Sequence, residues 1–124
     1  PWRFTNGIEY NFPAGSFIPA FGRIVVARDP NTFNTAYTVA GGTIVLGPYG
    51  GRLSDSEGLE LSRPAVLEEG SDQYYIRVDH VKYDSSAPWP ESPNGQGDAL
   101  HRLNTSAFGN DPASWIGGAA TPGR

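Results

Sequence analysis

The chain has 124 residues, the size of a single domain, and a formal net charge of −4 with no block of like charge. This charge pattern excludes the basic surface typical of nucleic-acid binding and a polybasic membrane patch. There is no cysteine, so disulfides and thiolate metal sites are excluded, and no apolar run is long enough to predict membrane insertion.

Turn residues are frequent, with 16 Gly and 11 Pro, which favours short strands over long helices. Hydrophobic residues make up 38% of the chain, so the predicted core is thin. The 3 Trp, 6 Tyr and 6 Phe would anchor it, because each aromatic side chain buries roughly 150–250 Å².

The first half of the chain contains three strand signals and one helix signal. Ile8–Phe12 alternates and is followed by a Pro-Ala-Gly turn, while residues 17–21 contain Pro19 and are irregular or an edge segment. Arg23–Ala27 is β-branched and predicts a strand buried on both faces. Asp29 and Pro30 suit the N-cap and the first position of a short helix that continues over 31–37. Phe33 and Tyr37 would lie on one side of this helix. Residues 43–46 are predicted to form the next strand.

The second half begins with the loop 47–51, and Leu59–Leu61 alternates as a strand should. Residues 74–83 give the strongest strand signal, and their apolar phase reverses midway, which predicts a bulge near Asp79. A Pro/Gly loop containing Trp89 precedes a last strand over 99–103. Asp111 and Pro112 predict another short helical turn, and residues 117–124 are interpreted as a tail.

These elements predict an all-β fold, an antiparallel sandwich or barrel with one or two short helical turns. No βαβ alternation, heptad or internal repeat is visible.

An ordered set of short motifs covers nearly the whole chain and resembles the bacterial lamin-tail domain. Each fragment is weak alone, and the order and spacing carry the likeness. The motifs are Phe12-Pro13-Ala14-Gly15, Gly22-Arg23-Ile24-Val25-Val26, Gly47-Pro48-Tyr49-Gly50-Gly51-Arg52-Leu53-Ser54, Leu59-Glu60-Leu61, Val78-Asp79-His80-Val81-Lys82-Tyr83, Ala87-Pro88-Trp89-Pro90, Asn94-Gly95-Gln96-Gly97-Asp98-Ala99-Leu100, Asn110-Asp111-Pro112-Ala113-Ser114-Trp115 and Thr121-Pro122-Gly123.

The resemblance implies one lamin-tail-like domain over residues 1–124 with the fold of an immunoglobulin-like antiparallel β-sandwich. It also implies no catalytic residues and a place within a larger exported or cell-surface bacterial protein. Three differences from the family pattern stand out. Glu57 precedes Gly58 where the family commonly has Gly then Glu, and Asp98 stands where Ser is common. The family's first one or two strands, which lead into the position of Trp2, are missing, and the absence of methionine fits an excised segment.

The candidate ligand or interaction residues are Tyr49, Trp89 and Asp98. Trp89 lies between two prolines and could be a sugar-stacking platform or, as we expect, a core residue. Trp2 and Trp115 are predicted core residues as well. The glycines at 50–51 and 94–97 are interpreted as turn residues with positive φ rather than as a phosphate cradle.

Metal and catalytic sites have weak support in the sequence. The stretch 94–98 is the nearest approach to a calcium loop but has too few carboxylates, so no cofactor is predicted and calcium stays an alternative. His80 and His101 have no partner at the spacing of zinc ligands, and there is no Gly-x-Ser-x-Gly elbow. We therefore expect no enzymatic activity.

The predicted function is that of a non-catalytic structural or interaction module, and the alternative is a carbohydrate-binding module that uses exposed aromatic rings. The expected partners are other domains of the parent protein, a separate protein, or a second copy of the chain. A sheet that lacks its first strands exposes an edge. Pairing of Thr5–Phe12 or Phe17–Ala27 between two copies would cover that edge.

Overall fold

A computed structural model describes residues 1–66, 68–70 and 72–124. Strands dominate these residues, which confirms the all-β prediction. The immunoglobulin-like arrangement stays a prediction. The elements are β1 Arg3–Asn6, β2 Ile8–Asn11, β3 Ile24–Val26, α1 Pro30–Ala36, β4 Ile44–Leu46, β5 Gly50–Gly51, β6 Glu57–Pro64, β7 Tyr75–Tyr83, β8 Asp98–Arg102, a 3₁₀ turn Pro112–Ser114 and β9 Trp115–Ala119.

The main sheet has five antiparallel strands in the order β5-β2-β1-β6-β7. β1 and β2 form a tight hairpin around Gly7, whose φ is +88°. A Cβ at this glycine would lie 2.6 Å from the carbonyl oxygen of Gly58 on β6, so only glycine fits. The hydroxyls of Thr5 and Ser62 share a hydrogen bond of 2.8 Å that joins β1 to β6.

The position of the sheet edges differs from the sequence-based expectation. β1 is paired on both sides, with β2 and β6, and β5 covers Ile8 and Glu9 of β2. The outer strands of this sheet are β5, which has two residues, and β7. The part of Thr5–Phe12 that forms β1 is therefore not an exposed edge. β3, within the second predicted segment Phe17–Ala27, pairs only with β4 among the described strands and keeps one open side.

β6 and β7 form the longest pairing, and it contains the predicted bulge. Leu61 lies opposite Asp79 and Ser62 opposite Arg77, which leaves Val78 without a partner residue. The extra residue shifts the alternation of β7 by one, as the phase change in the sequence predicts, so that Ile76 lies on the same face as Val81 and Tyr83. Ile76 and the extra residue Val78 are exposed, whereas Val81 and Tyr83 are half-buried.

β3 and β4 pair in parallel, contrary to the expectation of an entirely antiparallel fold. Parallel strands need a crossover of about a dozen residues or more. The segment containing α1 supplies it, so this part of the chain is a small β-α-β unit. β3 is half-buried, so the prediction that it is buried on both faces is wrong.

α1 begins as the sequence predicts. The Asp29 carboxylate accepts hydrogen bonds from the backbone N–H groups of Asn31 and Thr32, and Pro30 occupies the first turn. The backbone and hydroxyl bonds from Thr32 lower the pKa of Asp29 below its ordinary value. The rings of Phe33 and Tyr37 lie 5.2 Å apart, as their spacing predicts.

β8 and β9 form a separate antiparallel pair, and β9 corrects two sequence-based expectations. The strand near residues 99–103 is not the last one, and residues 117–119 are not a tail. Asp111 caps the predicted helical turn through the N–H of Ala113, and β9 follows at once. Gly117 and Gly118 conceal this strand in the sequence because they interrupt its alternation.

The core is thin, as the composition predicts: Ile8, Ala27, Ala65 and Trp89 are the buried apolar residues among those described. Trp89 is 8% exposed, which confirms its assignment to the core. Trp115 is half-buried, and its indole N–H donates to the carbonyl of Gly109 at 2.7 Å. Trp2 is 43% exposed, so the prediction that it is a core residue is wrong.

Candidate functional site

An apolar groove of about 540 Å³ opens where the β1–β2 hairpin meets β6 and the start of β3. The backbone N–H of Phe12 donates to the carbonyl of Trp2 at 2.9 Å and holds the open end of the hairpin together. The loop 13–23 forms one wall. The groove is lined by Pro1, Trp2, Phe12, Pro13, Gly15, Ser16, Phe17, Ile18, Ile24 and Leu61.

The loop forms a wall instead of a strand because its prolines cannot donate to a sheet. A turn at Pro13 is closed by two bonds from Ser16 to the Pro13 carbonyl, 3.1 Å from the backbone nitrogen and 2.7 Å from the hydroxyl. Gly15 lies inside this turn with φ +82°. The next side chains, Phe17 and Ile18, are thereby held out in solvent, 71% and 59% exposed.

The chemistry of the groove is that of an apolar binding surface. None of its lining side chains is charged, and Trp2 and Phe17 offer large rings to a partner. Contiguous apolar surface of this kind marks interaction sites on soluble proteins. Sequence reasoning placed Trp2 in the core and missed the groove. The available signal was the absence of any charged residue between Glu9 and Arg23.

A second cleft, of about 630 Å³, is polar at its rim and acidic. It lies between the turn before β6, the end of β7 and the start of β8. Asp55, Asp84 and Asp98 line it, together with Tyr83 and Trp115. Among the described residues, no three His, Cys, Asp or Glu side chains are grouped so that they could hold a metal ion. The arrangement therefore adds no support to the calcium alternative.

Tyr83 is the distinctive group of the acidic cleft. Its hydroxyl donates to the carbonyl of Ser54 at 2.6 Å. Burial raises the pKa of Tyr83 above its ordinary value, and the charges of Glu57 and Asp55 raise it further, with a smaller contribution from Tyr49. The phenol is therefore held in its protonated, donating form.

The three residues singled out by sequence do not form one surface. Asp98 lines the acidic cleft and Tyr49 lies half-buried near Tyr83, so these two share a region. Trp89 is buried in the core, so its ring is closed to a stacking ligand. The predicted turn roles of Gly95 and Gly97 are confirmed by φ values of +78° and +83°. Gly50 and Gly51 form β5 instead of a turn, and only Gly51 has the predicted positive φ, +83°.

Both histidine rings contact groups without acid–base chemistry. A ring nitrogen of His101 lies 2.8 Å from the carbonyl oxygen of Ala119, across the β8–β9 pair. The His80 ring packs edge-on against Phe108 with centroids 5.8 Å apart. Neither contact is with a hydroxyl or carboxyl that a base would activate.

In the part of the chain that the structure describes, no helix is both long and apolar enough to cross a membrane. Comparisons with protein-family models, curated proteins and solved structures find no match to this chain. The resemblance to bacterial lamin-tail domains therefore stays a prediction made from the motifs alone.

Proposed function

We propose that the chain is a non-catalytic interaction module of a larger exported or cell-surface protein, and that the apolar groove is its binding surface. The observation that carries this proposal is the exposure of Trp2, Phe17 and Ile18 around a concavity whose lining has no charged side chain. Covering these side chains with a partner removes apolar surface from water, which stabilises a complex by about 25 cal/mol for each Å² buried. The exported context comes from the lamin-tail resemblance.

The local structure supports a binding role for the groove. Ile24 of β3 and Leu61 of β6 line the groove from paired strands. Trp2 and Phe12 flank the hairpin and are joined by a backbone hydrogen bond, and the wall 13–16 is held by its own hydrogen bonds. A surface that is held in place before binding loses less conformational entropy when a partner arrives. The groove thus has both the apolar chemistry and the preorganisation that a partner needs.

The test is to select short peptides from a displayed random library against the purified chain and to map the binding site by amide chemical shifts. We expect enriched peptides to carry aromatic or aliphatic side chains and to shift the amides of residues 12–24. Replacing Ile18→Asp should weaken them about tenfold or more, because a charge in an apolar contact must be desolvated. Val66→Asp is the matched control, since Val66 is 96% exposed but lies outside the groove.

Assays with chromogenic glycosides, esters and phosphodiesters complete the test. The proposal predicts no turnover by the purified chain. If the chain turns over one of these substrates and an Asp98→Asn or Asp84→Asn variant does not, the proposal is wrong and the chain is an enzyme with its active site in the acidic cleft. Peptides that shift only residues of that cleft would show that the groove is not the binding surface.

Carbohydrate binding is the second candidate, favoured by one observation: Trp2 and Phe17 are exposed rings that line the same groove. Aromatic faces of this kind stack on sugars, although the lining offers few polar groups to orient them. Titration with cello-, chito- and xylo-oligosaccharides separates the two functions. Saturable sugar binding that is lost in Trp2→Ala would favour the carbohydrate-binding module.

A further inference from the structure

Phe21 combines an unusual backbone conformation with complete exposure. It occupies the third position of the turn Pro19–Gly22, which is closed by a 2.8 Å bond from the Gly22 nitrogen to the Pro19 carbonyl. Its φ of +60° is the only positive value at a non-glycine residue in the described chain. Its side chain is fully in solvent, with a relative exposure of 102%.

Neither property stabilises the folded chain. The left-handed region is sterically unfavourable for a bulky L residue, and this position of a type II turn ordinarily holds glycine or asparagine. A phenylalanine ring in water also adds nothing to the core. Gly22 next to it fixes the turn, because a Cβ there would lie 2.7 Å from the Pro19 ring. Backbone strain that persists without benefit to folding is typical of functional positions.

The groove and Phe21 belong to the same short segment. Phe17 and Ile18, before the turn, line the groove, and so does Ile24 after it. The chain therefore presents an apolar projection beside an apolar concavity of about 540 Å³. Two patches that are complementary and adjacent on one surface can be exchanged between two copies about a two-fold axis.

Charge favours a second copy at this surface in particular. The chain carries a net charge of −4, which opposes association of two copies over most of their surface. The segment between Glu9 and Arg23 has no charged residue, and the groove lining has no charged side chain. Repulsion between copies is therefore weak here, where Phe17, Ile18 and Phe21 are exposed.

We propose that two copies of the chain associate by reciprocal insertion of Phe21 from one copy into the apolar groove of the other. This inference rests on the proposed function, since it uses the groove as the binding surface and names its occupant. Phe21 is the anchor: its ring packs against the rings and aliphatic side chains that line the partner groove. Central aromatic anchors of this kind carry most of the energy of an interface.

The test is sedimentation of the wild-type chain and of Phe21→Gly across a concentration series from micromolar to millimolar. We expect reversible dimers of the wild type and a much higher dissociation constant for Phe21→Gly. The increase is about thirtyfold for each of the two anchors that the symmetric dimer loses, or about a thousandfold in all. Glycine suits the positive φ, so the melting temperature of the monomer, measured at low concentration, should stay the same or rise. A loss of association therefore cannot be a loss of folding.

A second arm uses a synthetic peptide of residues 16–23 and its counterpart with Phe21→Ala. The first peptide should dissociate the dimer and shift the amides of the groove, and the second should do neither. A wild type that stays monomeric at millimolar concentration, or a dimer that Phe21→Gly leaves intact, would overturn the inference. If the chain is monomeric but library peptides still bind the groove, only the self-association fails; if they bind elsewhere or not at all, the proposed function fails as well.

Discussion

The guanidinium of Arg102 on β8 bonds the carboxylate of Asp79 on β7 at 2.5 Å, directly after the bulge in β7. Its other terminal nitrogen donates to the carbonyl of Ala107 at 2.6 Å. This one side chain therefore joins the five-stranded sheet, the β8–β9 pair and the loop between β8 and β9. The bulge matters to the connection because it sets the direction in which Asp79 points.

Loss of this ion pair should destabilise the fold more than loss of a surface pair. Asp79→Ala leaves a largely buried guanidinium without its carboxylate, and we expect the free energy of unfolding to fall by about 1.5–3 kcal/mol. The comparison is Glu60→Ala, which breaks the more exposed 3.1 Å pair with Arg77 and should cost about 1 kcal/mol or less. Urea denaturation measures both; equal losses would show that Arg102 does not connect the sheets.

The loop before the 3₁₀ turn packs so closely on β7 that Gly109 has no room for a side chain. A Cβ there would lie 2.5 Å from a carboxylate oxygen of Asp79 and 2.9 Å from the carbonyl of His80. Gly109→Ala should therefore cost about 1–3 kcal/mol through overpacking. Gly41→Ala is the control: a Cβ there meets open space, so its unfolding free energy should be unchanged within about 0.5 kcal/mol.

The three tryptophans should separate clearly by their effect on stability. Trp89→Ala empties a core position that is 8% exposed and should cost about 3–5 kcal/mol. Trp2→Ala, at a half-exposed position, should cost far less, about 1 kcal/mol, while it weakens peptide binding in the groove. Thermal melting and binding assays of the two variants check this. If the melting temperature of the Trp2 variant is as low as that of the Trp89 variant, Trp2 contributes to the core and its assignment to the groove surface is wrong.

Tyr83 should make the stability of the fold sensitive to alkaline pH. Burial raises its pKa in the folded state above the unfolded value of about 10, so the folded state holds the proton more tightly. Its contribution to stability is then complete below pH 10 and is lost as the pH rises through the folded pKa. Tyr83→Phe should flatten this part of the stability curve, measured by urea denaturation between pH 8 and 11. If the free energy of unfolding of the wild type falls no more steeply with pH than that of the variant, the raised pKa of Tyr83 is contradicted.

The features that sequence reasoning predicted are those determined locally. The caps at Asp29 and Asp111 depend on residues within one helical turn. The bulge near Asp79 is indicated by a change in the apolar alternation along a single strand. The missed features arise when distant segments meet. β9 was missed because Gly117 and Gly118 show no strand pattern in the sequence; in the fold, a Cβ at Gly117 would meet the Ser92 hydroxyl. The sequence alone does not indicate which strands pair with each other, so the order of strands beside β1 could not be predicted.

The groove illustrates the same difference at the level of function. Trp2, Ile24 and Leu61 are far apart in the sequence, and each fits a core position when considered alone. They form a shared open surface only because the hairpin, β3 and β6 converge beneath a loop that the prolines keep out of the sheet. Trp89, by contrast, was correctly predicted as a core residue although it lies in a loop, because a large aromatic ring between two prolines favours burial.

The most direct test of the account is a chemical-shift titration of the isotopically labelled chain, diluted to its monomeric form, with an aromatic peptide selected from the library. The account predicts saturable shifts confined to the groove, at residues 2, 12–18, 24 and 61, that vanish in Ile18→Asp and persist in Val66→Asp. Shifts centred on Tyr83, Asp84 and Asp98, or no saturable shifts in a folded wild-type chain, would contradict it.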